Sequence, residues 1–436
     1  MLRNKDKAAM TPPMGWNSWD CWAATATEDL LVQNAAYMAQ HLKPFGWEYI
    51  VCDIQWSEPQ AGTGPREYRN FAHLTLDEYG RQIPAVNRFP SSAGGRGFAP
   101  LAGKIHAMGL KFGIHIMRGI PRQAVHAHLP VLGGNCTADE VANPFSISRW
   151  NGDMYGLYAD RPGAQAYYNS IFQLYADWGV DYVKVDDICN TNMYPTQPYS
   201  AEKEIEMIRR AIDNSGRQMV LSLSPGPAVI EKAWHLEKNA NMWRITDDFW
   251  DDWDLLKAMF ERCEVWQKHV SAGCWPDCDM LPLGRIGIGF HQDRRTRFTR
   301  AEQVTMMTLW CIFRSPLMMG GNLPDCDEWT LSLLTNAEVM HLLGHTENVC
   351  QLARDEEHVV WTSTEDTGTS RYLALFNLSD TAAEVSSPLS EISLAQADVR
   401  DLWAHRDLGT IKDTVSAALP PHGAALYQLT GLQTIE

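Results

Sequence analysis

The sequence predicts an α/β fold: a (β/α)8 TIM barrel followed by an antiparallel β-sandwich domain. Three observations carry this expectation. Short β-rich runs alternate with amphipathic stretches over the first three quarters of the 436-residue chain, which is the pattern of a parallel sheet. Eight such runs can be counted, the number a barrel needs. Beyond residue 344 the helical periodicity stops, and β-runs follow one another across polar turns.

Taken in order, the predicted barrel strands are Met14–Trp19, Tyr49–Ile54, Lys111–Ile116, Tyr182–Asp187, Met219–Ser224, Met242–Asp248, Cys274–Leu281 and Pro316–Gly320. Each is short, mostly apolar or β-branched, and bounded by glycine or polar residues. Between them, Ala164–Trp178 and Glu202–Asn214 repeat apolar residues at i, i+3 and i+4, the stripe of a helix packed on a sheet. Alternation alone also fits a doubly wound open sheet; the count of eight favours the barrel. His358–Ser363, Tyr372–Asn377 and Ala424–Leu429 are the clearest strands of the second domain. The expected division is 1–344 for the barrel and 345–436 for the sandwich.

Composition narrows the function. Hydrophobic residues make up 45% and charged residues 21%, which suits a globular chain with a large core. Against 37 Lys and Arg stand 53 Asp and Glu, for a net charge of −16. Such a surface repels phosphate backbones and anionic lipid, so neither nucleic acid nor membrane is an expected partner. The longest apolar runs, such as Met306–Phe313, fall far short of the ~20 residues of a membrane span. The start, MLRNKDKAAM, lacks the apolar core of a secretory signal. The ten cysteines form no C-x-x-C, and Cys274 and Cys278 have no second pair nearby, so reduced thiols in the cytoplasm are expected. His126 and His128, with His106 upstream, lack a further ligand at a recognisable spacing and read as solvated or core histidines. Tryptophan (17) outnumbers tyrosine (14) and phenylalanine (13). Its flat face and single N–H suit a ligand part apolar and part polar. Trp56, Trp250 and Trp253 lie near predicted strand ends, where core packing competes with stacking on a ligand.

The chemistry gathers at the carboxyl ends of the strands. Asp53, His115, Asp186, Asp187, Ser224, Asp247, Asp248 and Asp279 all fall there, and in a barrel these ends converge on one face. A single aspartate at a strand end is most simply a helix cap. Polar groups at six strand ends are harder to explain that way. Several carboxylates in an aromatic-lined pocket suit either metal binding or glycoside hydrolysis. Lys184 and Arg244, close before their acids, would oppose a dication but hold a nucleophilic carboxylate ionised. Strand alternation puts Asp186 and Asp187 on opposite faces, and likewise Asp247 and Asp248, so only one residue of each pair is expected to face the pocket.

Five stretches then carry a family resemblance: TPPMGWNSWD at Thr11–Asp20, the K-V-D of Lys184–Asp186, Trp243–Arg244 ahead of Asp248, WPDCDMLPLG at Trp275–Gly284, and LWCIFRSPLMMGGNL within Ala301–Leu323. Together, and in this order, they resemble glycoside hydrolase family 27, the retaining α-galactosidases and α-N-acetylgalactosaminidases. The resemblance implies that Asp186 is the nucleophile and Asp248 the acid/base, with carboxyl groups about 5–6 Å apart. It implies that Lys184, Arg244 and Asp53 bind sugar hydroxyls, that Trp16 lines the sugar pocket, and that Asp279 and Met280 border it. Two carboxylates supply the whole reaction, so no metal or organic cofactor is expected. The expected partner is a small-molecule or oligosaccharide substrate; the sequence leaves open whether the chain forms a homo-oligomer.

Three departures bear on substrate. The family's D-D-x-W reads Asp53-Ile54-Gln55-Trp56, which removes a carboxylate from the sugar site. A sugar lacking the C6 hydroxymethyl group, such as β-L-arabinopyranose, tolerates that loss better than galactose. Ser224 stands where the galactosidases place a glutamate reaching the 2-hydroxyl and where the N-acetylgalactosaminidases have serine. His115 replaces a usual tyrosine, and Ile188 replaces a disulfide cysteine of the animal enzymes. The expected activity is exo-hydrolysis of terminal α-D-galactosides or closely related sugars, with N-acetylgalactosaminide and β-L-arabinopyranoside as alternatives and a non-catalytic sugar-binding protein as the rival.

Overall fold

A computed structural model of the chain describes residues 2–64, 67–188, 199 and 201–434. Its first sheet has eight parallel strands: β1 Met14–Asn17, β2 Tyr49–Cys52, β3 Lys111–Met117, β4 Tyr182–Asp186, β5 Val220–Ser224, β6 Met242–Arg244, β7 Trp275–Asp277 and β8 Leu317–Met319. Sheet order runs β7-β6-β5-β4-β3-β2-β1-β8. The two ends meet just past β7, where Leu281 bridges Met319 in parallel and the Leu281 N–H donates to the Met318 carbonyl at 2.8 Å. The sheet therefore curls back on itself as a barrel, and the open-sheet alternative is excluded.

All eight predicted strands are present, but most stop earlier than the hydropathy suggests. Asp53, Ile54, Asp187, Asp247, Asp248, Asp279 and Met280 lie past the last ladder residue of their strands. Polar side chains at the exits take up backbone N–H groups that would otherwise extend the ladder. Ser18 Oγ accepts from the Asp53 N–H at 2.9 Å, and Asp277 Oδ1 accepts from the Asp279 N–H at 2.9 Å.

The two predicted helices appear as Pro162–Trp178 and Glu202–Ser215. The first begins with proline at its first turn and stops at Gly179, whose φ of 81° is the left-handed cap that glycine adopts without strain. Their apolar faces pack with the buried strand residues into one core that reaches Trp361, Tyr372 and Phe376 of the following domain. That domain has a six-stranded antiparallel sheet and a two-stranded one, with a core of its own around Leu373, Leu394, Val415 and Leu429. Trp253 stacks on His422 at 3.7 Å, joining the helix Trp253–Trp266 to the second domain.

Nine cysteines are free thiols; Cys189 lies outside the described residues. His126, His128 and His106 are engaged separately, by the Tyr155 hydroxyl, Asp139 and Asp181. Among the described residues no helix is long and apolar enough to cross a membrane.

Candidate active site

The strand exits enclose a cavity of about 320 Å³, within the range of small-molecule sites. Asp53, Ile54, His115, Lys184, Asp186, Ser224, Arg244, Asp248, Asp279 and Met280 all line it, as do Asp187 and Asp247.

Asp53 sits at the β2 exit, 3% exposed. Asn17 donates to its Oδ2 at 2.8 Å, the Lys184 ammonium lies 3.0 Å from the same oxygen, and the Ile54 N–H donates to Oδ1 at 2.8 Å. Burial opposes its charge, but Lys184, His115 and these donors more than offset it and hold the carboxyl well below the usual range. Beside it Ile54 packs among Ala24, Leu74, Met117 and Met154, an apolar stretch of wall.

Asp186, the last residue of β4, is fixed from two sides. The His115 ring lies 3.1 Å from Oδ2, and the Asp187 N–H donates to Oδ1 at 2.7 Å. Against the burial penalty, His115, Lys184 and Arg244 hold it below its ordinary value. It is therefore an oriented, ionised carboxylate at neutral pH.

Arg244 ties the opposite wall together. Its Nη1 lies 2.6 Å from Asp248 Oδ1 and 3.3 Å from Asp279 Oδ2. The Asp248 side chain is 62% exposed, placing it at the cavity mouth. Burial raises the Asp279 carboxyl, Arg244 opposing it. Ser224 Oγ is buried and has no hydrogen-bond partner among the described residues. Met280 closes the wall next to Asp279.

Two expectations are corrected here. Trp16 does not line the cavity: β1 continues through it to Asn17, so its ring remains in the barrel core, fully buried, with Nε1 donating to the Gly321 carbonyl at 2.8 Å. Trp19, on the one-turn helix Trp19–Trp22 beyond the exit, lines the cavity in its place. Alternation also fails to choose within the aspartate pairs. Asp187 is past the strand with φ of 54°, Asp247 and Asp248 are past β6, and all four acids reach the cavity. The two supporting acids act as acceptors rather than helix caps: Asp187 pairs with Arg118 at 3.1 Å, and Asp247 Oδ1 accepts from the Asp248 N–H at 3.1 Å.

Asp20, Glu67, Tyr68, Trp150 and Phe249 also line the cavity and were not anticipated. Trp250 does so too, edge-on to Phe290 at 5.3 Å, whereas Trp56 is core, its Nε1 donating to the His115 carbonyl at 2.7 Å. Asp20 and Trp19 had a signal, since both fall in the TPPMGWNSWD stretch. Tyr68 and Trp150 come from long loops and meet edge to face at 5.4 Å, a pairing that strand reading cannot supply.

Comparison with known proteins gives a consistent result. Residues 151–343 match the family model described as alpha galactosidase A, and 355–429 match that of the alpha galactosidase C-terminal beta sandwich domain. The chain is 28% identical to the α-galactosidase of Coffea arabica, over 97% of this chain and 94% of that protein. It is 26% identical to α-galactosidase 2 of Arabidopsis thaliana, covering 99% and 92%. Among solved structures, a GH27 β-L-arabinopyranosidase from Geobacillus stearothermophilus is 55% identical, with a TM-score of 0.95 and coverage of 99% and 98%. A Bacillus halodurans protein provisionally described as an α-N-acetylgalactosaminidase is 51% identical, with a TM-score of 0.86 and coverage of 96% and 97%.

Proposed function

The chain belongs to glycoside hydrolase family 27, and within it we propose a retaining exo-glycosidase that prefers terminal β-L-arabinopyranosides and cleaves terminal α-D-galactosides more slowly. The two sugars share ring stereochemistry and differ at C6. The observation that carries the preference is Ile54, an apolar side chain beside Asp53 in the cavity wall. A hydroxymethyl group directed at it would bury a hydroxyl without a partner, at about 1–3 kcal/mol. That corresponds to roughly 10–100-fold against galactose. The similarity to the Geobacillus stearothermophilus β-L-arabinopyranosidase supports the same reading.

In this reading Asp186 attacks the anomeric carbon while Asp248 protonates the departing oxygen. Asp248 then removes a proton from water, which cleaves the glycosyl–Asp186 ester and restores both acids. The surroundings fit these roles. Asp186 is half-buried, ionised and oriented by two donors, as a nucleophile must be. Asp248 stands at the mouth, where leaving group and water pass. Asp53 and Lys184 would grip hydroxyls on the far side of the ring. The buried Ser224 supports a second substrate, since a small residue leaves room for a 2-acetamido group. A cytoplasmic setting belongs to the same reading and is compatible with the nine free thiols.

The deciding experiment compares kcat/KM on nitrophenyl β-L-arabinopyranoside, α-D-galactoside and α-N-acetylgalactosaminide, with proton NMR of the first-formed sugar. The expected result is a 10–100-fold preference for arabinopyranoside and a first product of unchanged anomeric configuration. A galactoside preference overturns the substrate, and inversion overturns the mechanism. Sugar binding without turnover would leave the lectin-like rival.

A further inference from the structure

The cavity holds a carboxyl group that the proposed mechanism does not use. Asp20 sits at the start of the helix Trp19–Trp22, just beyond β1, and is 3% exposed. Its Oδ2 is closed off from solvent and, among the described residues, has no hydrogen-bond partner. That oxygen is pressed toward Gly320 after β8, where a Cβ would come within 2.1 Å of it, so the close approach requires glycine. Asp20 nonetheless lines the cavity. With Oδ2 sealed, Oδ1 is the polar atom it can offer to a ligand.

An isolated buried carboxylate is costly, and proteins rarely keep one without donors. Asp53 and Asp186 illustrate the usual solution, each with several. Asp20 lacks this at Oδ2, and it interacts with Asp279, Asp248 and Asp53, which oppose its charge, and with Lys184, which favours it. Burial leads these influences, and the carboxyl is pushed well above its ordinary value. The shift favours the protonated acid, which would have a proton to donate from the oxygen facing the cavity. A sugar hydroxyl can accept from that group and satisfy it.

The location gives this contact a purpose. Asp20 follows Trp19, which packs against the cluster containing Ile54. Asp20 itself is turned toward Gly320 at the β8 exit, with Asp279, Lys184, Asp248 and Asp53 among its charged neighbours, so it stands among the groups that ring the cavity. We infer that Asp20 is a substrate-binding residue whose carboxyl group hydrogen-bonds a ring hydroxyl of the bound sugar from the β1 exit. This deepens the proposed function and rests on the cavity being the glycoside site.

The test compares Asp20→Ala and Asp20→Asn on whichever nitrophenyl glycoside the wild type cleaves fastest. Asp20→Ala should raise KM by about 30-fold, whereas Asp20→Asn, which keeps a neutral donor, should stay within about 5-fold. On one monodeoxy version of the substrate the alanine penalty should vanish, identifying the hydroxyl held. If Asp20→Ala does not fold, Asp20→Ser gives the same comparison. A KM within about 3-fold of wild type overturns the inference. So does a penalty of equal size on every monodeoxy sugar, or losses in both variants that follow a fall in Tm. A wild type that prefers galactoside overturns the arabinopyranoside reading and leaves this comparison intact.

Discussion

Two pairs of adjacent aspartates close two strands of the same barrel and meet different fates. Asp186 and Asp187 follow β4; Asp247 and Asp248 follow β6. Both pairs use one backbone device, in which the N–H of the second residue donates to Oδ1 of the first, at 2.7 Å and 3.1 Å. At β4 that donor serves the proposed nucleophile, which is also held by His115. At β6 it serves the supporting acid, so Asp248 is left to Arg244 and the cavity mouth. An identical dipeptide thus yields a rigid, ionised group in one place and a solvent-facing one in the other. The difference lies in donors brought from other strands.

The largest expected effect removes the rigid member. Asp186→Asn keeps the shape and both donors but deletes the attacking charge, and kcat should fall about 10⁴-fold or more on every substrate. Asp248→Asn should cost less, about 10²–10⁴-fold. Its cost should also shrink as the leaving group becomes more acidic, because a good leaving group needs no proton. Added azide should partly restore Asp248→Asn by replacing the activated water, and should do nothing for Asp186→Asn. Steady-state rates on aryl glycosides of graded leaving-group pKa check both. Equal losses with no leaving-group dependence would erase the distinction between the pairs.

The sequence shows why some of this site could be read and some could not. Asp186, Lys184 and Arg244 sit on or at the end of apolar runs, so the run itself points to the cavity face. Trp16 and Trp19 lie in one short motif, and only the position where β1 ends, at Asn17, tells core from pocket. Ladder ends are set by side-chain acceptors such as Ser18 and Asp277, which periodicity does not register. Asp20 ends the TPPMGWNSWD stretch, but nothing local reveals that Gly320, three hundred residues away in sequence, lets it approach so closely. Glu67, Tyr68 and Trp150 come from loops whose paths follow from tertiary contacts alone.

The smallest effect concerns Asp187, the supporting acid at β4. It is buried, in the left-handed region at φ of 54°, and paired with Arg118, which also meets Glu204 at 3.2 Å. Burial pushes its carboxyl up to about 6, Arg118 opposing and Asp186 reinforcing the rise. The folded state therefore holds this proton more tightly than the unfolded chain, whose aspartates titrate near 4. Between those two values the folded state binds more protons than the unfolded one, so stability falls as pH rises from about 4 to about 6 and levels off above. Asp187→Asn is neutral throughout and should lose that component of the fall. Its apparent Tm should match wild type near pH 4 and exceed it by a few degrees at pH 8. Activity should drop by less than about 10-fold, since the N–H that holds Asp186 belongs to the backbone. Parallel Tm profiles from pH 4 to 8 would show that Asp187 is paid for fully by Arg118, and that the two aspartate pairs differ in exposure but not in the cost of their charge.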